Sequence, residues 1–233
     1  MILSSYEMAA IGLSLKVAAI SMMVIIPLGL AIAYGLSRHN FKGKALIETI
    51  INLPLVLPPV VIGYLLLMAF NRQAPLGQFL EDVFGLSFAF NWLGAALAST
   101  IIALPLFIRS AKAGFDMVNP HLAKSAQTLG ASNVRIFTRI YLPLSLPAIM
   151  AGGILAFARA IGEFGATITF VSNIPSLTQT LPLALYQAAQ APNMEEQAFR
   201  LMVISIVLSF GVIYISQIWL NKSSQKDLSG QRL

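Results

Sequence analysis

The sequence predicts an all-α integral membrane protein with about five transmembrane helices, and three observations lead there. Hydrophobic residues make up 57% of the 233-residue chain and charged residues only 10%, with a mean hydropathy of +0.78; a soluble domain with a large core does not reach this composition. The few charges are gathered between long uncharged runs. One stretch, NPHLAKSAQTLGASNVRIFTRIYLP at 119–143, stands as a polar-mixed segment between two blocks of nearly pure hydrocarbon, and it reads as a docking element within a single transmembrane domain, 1–233.

The first span, 17–37, has 21 residues without a charge, about 31 Å of helix against a bilayer core of about 30 Å. Lys16 can snorkel at its start, and no basic leader with a small-residue cleavage site marks it as a signal peptide. The second span, 49–71, contains Pro54, Pro58 and Pro59. Proline removes donors and kinks helices, which hydrocarbon tolerates only against protein or a water-lined cavity; a kinked packing helix and a pathway-facing one are both open. Residues 72–82 read as a short polar turn. The third span occupies 91–108 with Trp92 as an interfacial anchor, and Arg109 and Lys112 close it.

A fourth span follows at 144–161, where Gly152, Ala156 and Ala160 form a small-residue stripe suited to close helix approach. Between 164 and 199 the chain is broken by Asn173, Pro175, Pro182 and Pro192. Only 181–191 is continuous enough for a helix, too short to cross, so the segment reads as an outer gate or re-entrant piece. The fifth span is 201–221, before a polar tail.

Charge distribution sets the orientation. With the N-terminus outside, the inner segments hold Arg38, Lys42, Lys44, Arg109, Lys112, Lys124, Arg135, Arg139, Lys222, Lys226 and Arg232, while Arg72 and Arg200 sit outside among Glu7, Glu81, Asp82, Glu195 and Glu196. This satisfies the positive-inside rule and places residues 113–143, as a coupling loop, and the C-terminus in the cytoplasm. It also accounts for the net charge of +6 without a nucleic-acid partner. The chain has no cysteine and two histidines, His39 and His121, which cannot by themselves build a metal site or a catalytic triad.

Within the docking stretch, Asn119 can cap a helix, Pro120 suits its first position, and Gly130 supplies the left-handed residue that ends it. Leu122, Ala126 and Leu129 recur at i, i+4, i+7, with Lys124, Gln127 and Thr128 elsewhere. A helix of about ten residues is marginal alone and must lie against something. Farther on, Arg159 and Glu163 are opposite charges at i, i+4, at the outer end of the fourth span. Arginine in mid-bilayer costs about 2.5–3.5 kcal/mol on insertion scales and normally pairs or faces water. Two readings are open: the pair locks helix packing, or it lines an anion pathway with Thr167 and Thr169 as hydroxyl donors.

The docking stretch resembles the cytoplasmic loop signature of importer-type ABC transporter permeases, which runs Glu-Ala-Ala, three residues, Gly, nine residues, Ile, any residue, Leu-Pro. Ala126, Gly130, Ile140, Leu142 and Pro143 match it, whereas Lys124 stands for the Glu and Ser125 for the first Ala. NLPLVLPPVVIGYLLL at 52–67 and FARAIGEFGATITFVSNIPSLTQTLP at 157–182 further resemble the molybdate branch of these permeases, with the sulfate/thiosulfate type as the alternative. The resemblance implies an importer-type ABC permease fold and a multi-pass protein of the cell (inner) membrane. It also implies a homodimer, two cytoplasmic ATP-binding subunits, and a periplasmic or lipid-anchored binding protein that delivers molybdate or tungstate. No Gly-rich phosphate loop ending in Lys-Ser/Thr occurs in the sequence, so the chain is expected to be the transport subunit, without cofactor, and not the ATPase. An ion-coupled secondary transporter is the less favoured class, because Glu163 is the one acidic residue inside the spans apart from Glu48 at a boundary.

Overall fold

The computed structural model describes residues 4–230, with side chains to Tyr214 and at Ile218. Of the basic tail, Arg232 and the side chains of Lys222 and Lys226 lie outside the described residues. No strand occurs among the described residues. Among the described residues, four helical runs are long and apolar enough to cross a membrane, or five if a bent pair counts as one span.

The first helix, α1 (Ser5–Arg38), opens on a capping box: the Ser4 hydroxyl accepts from the Glu7 amide, and the Glu7 carboxylate accepts from the Ser4 amide. Its 34 residues measure about 51 Å, so it begins well before residue 17 and projects beyond the hydrocarbon. Its buried face is a stripe of small and branched residues, including Ala10, Ser14, Ala18, Ser21, Ile25, Gly29 and Ala33. From Ala18 to Ala33 that stripe packs against α5 (Trp92–Met117). Ser21 donates to the Ala96 carbonyl at 2.9 Å, and the Lys16 ammonium lies 3.6 Å from the centroid of the Trp92 ring.

The second span, expected at 49–71 with a kink at its prolines, is two helices, α2 (Lys44–Val56) and α3 (Pro59–Phe70), bent by 111°. Pro54 does not cause the bend, because it lies inside α2. The bend falls at Leu57–Pro58, where consecutive prolines remove two amide donors in a row. Residues 72–82, expected as a turn, are largely helical: α4 (Pro75–Phe84) starts with proline at its first position and closes on Gly85 at φ +64°. The third span also runs past its expected end at 108, because Arg109 and Lys112 continue α5 as far as Met117.

After α6 (Pro120–Thr128), the helical run Asn133–Ile161 is 29 residues long. It comprises α7 (Asn133–Ile136), a π-helical turn at Phe137–Tyr141, and α8 (Leu142–Ile161). Helix α8 lies antiparallel on α5. A Cβ added to Gly114 would sit 2.7 Å from Ala148, and one added to Gly152 the same distance from Ser110. The small-residue stripe therefore does what its spacing predicts, and Gly152, Ala156 and Ala160 are all buried.

Residues 164–199 do not form one re-entrant unit. A short helix, α9 (Gly165–Val171), packs on α3 and brings Val171 against Gly94 near the start of α5, so it carries the α8 run on toward the end of the molecule opposite α6. Helix α10 (Leu181–Gln190) then packs on α1 and α11 (Glu195–Gly230), with the Leu181 amide donating to Ser14 Oγ at 2.6 Å. Arg200 of α11 pairs with the fully buried Glu7 at 3.1 Å, fixing the start of α1 to α11.

Candidate functional site

Two places collect the residues that the sequence singles out, one at the α6 end and one part-way through the helices. At the α6 end the local chemistry is self-contained. The Asn119 side chain accepts from the His121 amide at 2.9 Å, and Pro120 takes the first helical position. The helix closes in a Schellman motif: the Gly130 amide donates to Gln127 and the Ala131 amide to Ala126, each at 2.9 Å, with Gly130 at φ +81°.

Helix α6 rests on its own protein through Ala123, which is buried, and Ala126, which packs on the main core with Ala131, Ile140 and Leu142. Leu122 faces out, and Leu129 is 88% exposed. Two further apolar side chains that the sequence reading did not pick out, Met117 at 86% and Val134 at 72% exposure, flank them. Of the motif residues, Ala126, Gly130, Ile140 and Leu142 thus shape and seat the element, while Leu122 and Leu129 present its apolar surface. Lys124, Ser125 and Pro143 are exposed, and Lys124 makes no ion pair among the described residues. An isolated valine in the polar run ASNVRIF was the available signal for Val134.

The second place is where two helix breaks meet. Helix α8 ends at Ile161, and Gly162, Glu163 and Phe164 separate it from α9. The other break is Leu57–Pro58, ahead of α3. They abut: a Cβ on Gly165 would lie 2.8 Å from the Pro59 Cβ, and one on Gly63 would lie 2.5 Å from the Ala166 carbonyl oxygen and 2.9 Å from the Thr169 Cβ. Pro58, Pro59, Arg159, Glu163, Thr167 and Thr169 therefore gather in one region. Pro54 stays a turn away inside α2.

Arg159 was expected at the outer end of the fourth span. The α5–α8 register, carried two turns beyond the Gly152–Ser110 contact, sets it instead level with Ala103, close to the middle of α5. The reason is the early start of the helical run, which uses its first turns beside the charged end of α5. The Arg159 Nη1 atom lies 2.5 Å from Glu163 Oε2, with the glutamate side chain 1% exposed and the arginine 32% exposed. Glu163 Oε1 accepts from the Ala166 amide at 2.8 Å, which caps α9. Glu163 thus holds its arginine with one oxygen and starts a helix with the other. Thr169 donates its hydroxyl proton to the Gly165 carbonyl at 2.9 Å and is not a free donor; Thr167 is buried. On the side away from α6, Phe164 meets Tyr186 of α10 with ring centroids 4.9 Å apart.

The molecule thus combines apolar spans, two abutting helix breaks and an exposed apolar element at one end. Residues 25–229 match the family of the binding-protein-dependent transport system inner membrane component, and the chain belongs to that family. The molybdenum transport system permease protein ModB of Haemophilus influenzae is 52% identical to it over 95% of this chain and 96% of its own length. The probable sulfate transport system permease protein cysT of Chlorokybus atmophyticus is 34% identical over 82% of this chain and 67% of its own length. Among solved structures, a bacterial ABC transporter involved in the import of the acidic polysaccharide alginate aligns at TM-score 0.76, covering 94% of this chain and 80% of that one. At 17% identity it shows the fold alone.

Proposed function

We propose that this chain is the membrane-spanning permease subunit of an ATP-driven importer that carries molybdate, or tungstate, into the cytoplasm. Near-full-length likeness to a molybdenum permease, against a lower identity over less of the chain to a sulfate permease, supports the substrate branch. The observation that carries the geometric part is Arg159, a cation one-third exposed at mid-depth, beside two helix breaks. Hydrocarbon does not hold such a group, so the face it opens on is lined by water or a second polypeptide. Two copies of the chain enclose the pathway there. Glu163 neutralises the arginine between passages, and a site so balanced releases its anion again.

Two cytoplasmic ATP-binding subunits dock on the exposed apolar surface of Leu122, Leu129, Val134 and Met117, and a binding protein delivers the oxyanion at the opposite side. The docking end is cytoplasmic and the N-terminus external, as the excess of lysine and arginine at the α6 end supports. Closure of the ATPases moves α6 and opens the break region outward; hydrolysis resets it. The test is uptake of labelled molybdate into vesicles holding the chain, its ATPase and its binding protein. Loss of uptake on ATP depletion, with indifference to a protonophore, is the expected result. The reverse pattern assigns the chain to ion-coupled transport instead.

A further inference from the structure

Helix α2 carries no buried residue, yet it leads directly into the Pro58 break. What holds it to the bundle bears on how that break is controlled. It packs on α5, and at that contact lies a line of charges. The Lys112 ammonium is 2.9 Å from Asp116 Oδ2 on its own helix and 3.7 Å from Glu48 Oε1 on α2. Asp116 in turn accepts from the Ser37 hydroxyl at 2.5 Å and lies 4.0 Å from Arg38. Arg38 donates to the Tyr141 hydroxyl at 3.0 Å and to the Phe115 carbonyl. The line therefore joins α2, the end of α5, the end of α1 and the π-helical turn that follows α6.

Lys112 has a second position available. Glu48 Oε1 and Asn52 Oδ1 are buried acceptor atoms without a hydrogen-bond donor. Both residues line a cavity of about 230 Å³ together with Lys112 and Asp116. The ammonium now sits on Asp116, with Glu48 Oε1 3.7 Å away and Asn52 on the wall of the same cavity. Moving toward α2, it would satisfy both and draw α2 onto α5; moving back, it frees α2. Partly exposed ion pairs hold weakly, which suits a joint that must open and close.

We propose that Lys112 is a positioning residue for transport. Its exchange between Asp116 and the Glu48–Asn52 pair passes a movement of α6, which begins four residues after Asp116, to α2 and hence to the Pro59–Gly165 contact. The proposal rests on the importer reading above. It supplies what that reading lacks, a discrete two-position element between the docking helix and the break.

The test uses proteoliposomes with the full chain, its ATPase and its binding protein, scoring molybdate transported per ATP hydrolysed. Lys112→Met and Glu48→Gln are each expected to lower that ratio about fivefold, in the range of mutations along a coupled network, while hydrolysis continues. The double variant is expected to be no worse than the poorer single one, and Lys112→Arg is expected to keep the ratio. Glu48→Gln changes charge but not size and guards against a mere folding defect. An unmutated complex without ATP-driven uptake overturns the importer reading itself. An unmutated complex that transports, alongside unchanged ratios in both single variants or fully additive losses in the double, overturns the Lys112 joint alone.

Discussion

Gly165 rests on Pro59 so closely that a Cβ on the glycine would lie 2.8 Å from that of the proline. This contact welds the start of α9 to the start of α3, and one turn farther Gly63 repeats it against the Ala166 backbone. Backbone atoms cannot rotate aside. Gly63→Ala is therefore expected to destabilise the protein by about 1–3 kcal/mol, the usual cost of overpacking. Gly35→Ala, where a Cβ would meet nothing within 4 Å, is the control and should leave the thermal midpoint in detergent unchanged or raised. Equal midpoints for the two variants would refute the close packing of α3 on α9.

Gly130 presents the opposite situation. A Cβ there meets no atom within 4 Å, yet φ is +81°, so the strain is in the backbone alone. Gly130→Val should cost about 1–2 kcal/mol and impair ATP-driven uptake at normal membrane abundance. Gly130→Asn, a residue that tolerates the left-handed region, should retain most uptake. Gly130→Asp adds a charge beside the proposed docking surface, and the complex that carries it is expected to hydrolyse ATP with little uptake. Normal uptake by that variant would contradict the lever role of α6.

Removing Arg159 leaves the buried Glu163 carboxylate without its cation. Breaking such a pair typically costs about 3–5 kcal/mol, so Arg159→Ala should lower the yield of folded protein. Adding Glu163→Gln keeps an oxygen for the Ala166 amide while removing the charge, and should restore yield but not molybdate uptake. Recovery of both would make the pair purely structural; loss of selectivity at unchanged yield would make it purely a substrate contact.

The natural absence of cysteine makes a single introduced thiol a clean probe of the break. Gly162 is exposed, and its nearest neighbour to an added Cβ is the Ala158 carbonyl at 3.6 Å, so Gly162→Cys fits. In the assembled complex it should react with a small charged thiol reagent, more slowly when molybdate is present, whereas Ala160→Cys, buried at 3% exposure, should not react. Labelling of both at one rate would argue against a water-lined break.

Local chemistry explains what was legible in the sequence. Asn119, Pro120 and Gly130 start and stop α6 with their own atoms, and uncharged length reveals most of the spans. Tertiary decisions were not legible. The end of the fourth span at 161 was legible, because Gly162 and the charge of Glu163 interrupt the apolar run; what nothing local announces is that α9 carries the run on and leaves Arg159 level with the middle of α5, which packing on α3 and α5 decides. Residues 72–82 form most of α4 and not a turn because Pro75 and Gly85 supply start and stop signals, and Glu81 and Asp82 are compatible with the helix between them. Of the exposed apolar side chains at this end, Leu122 and Leu129 were legible from the spacing within α6, whereas Met117 and Val134 lie outside that helix and their exposure is set by how the neighbouring elements pack.

Competition between oxyanions identifies the cargo. Labelled molybdate is supplied to vesicles holding the chain, its ATPase and its binding protein, with excess unlabelled tungstate or sulfate. Inhibition by tungstate and indifference to sulfate is the predicted result, because the first two oxyanions are nearly alike in charge and shape. Equal inhibition by sulfate would contradict the account and move the chain to the sulfate-type permeases.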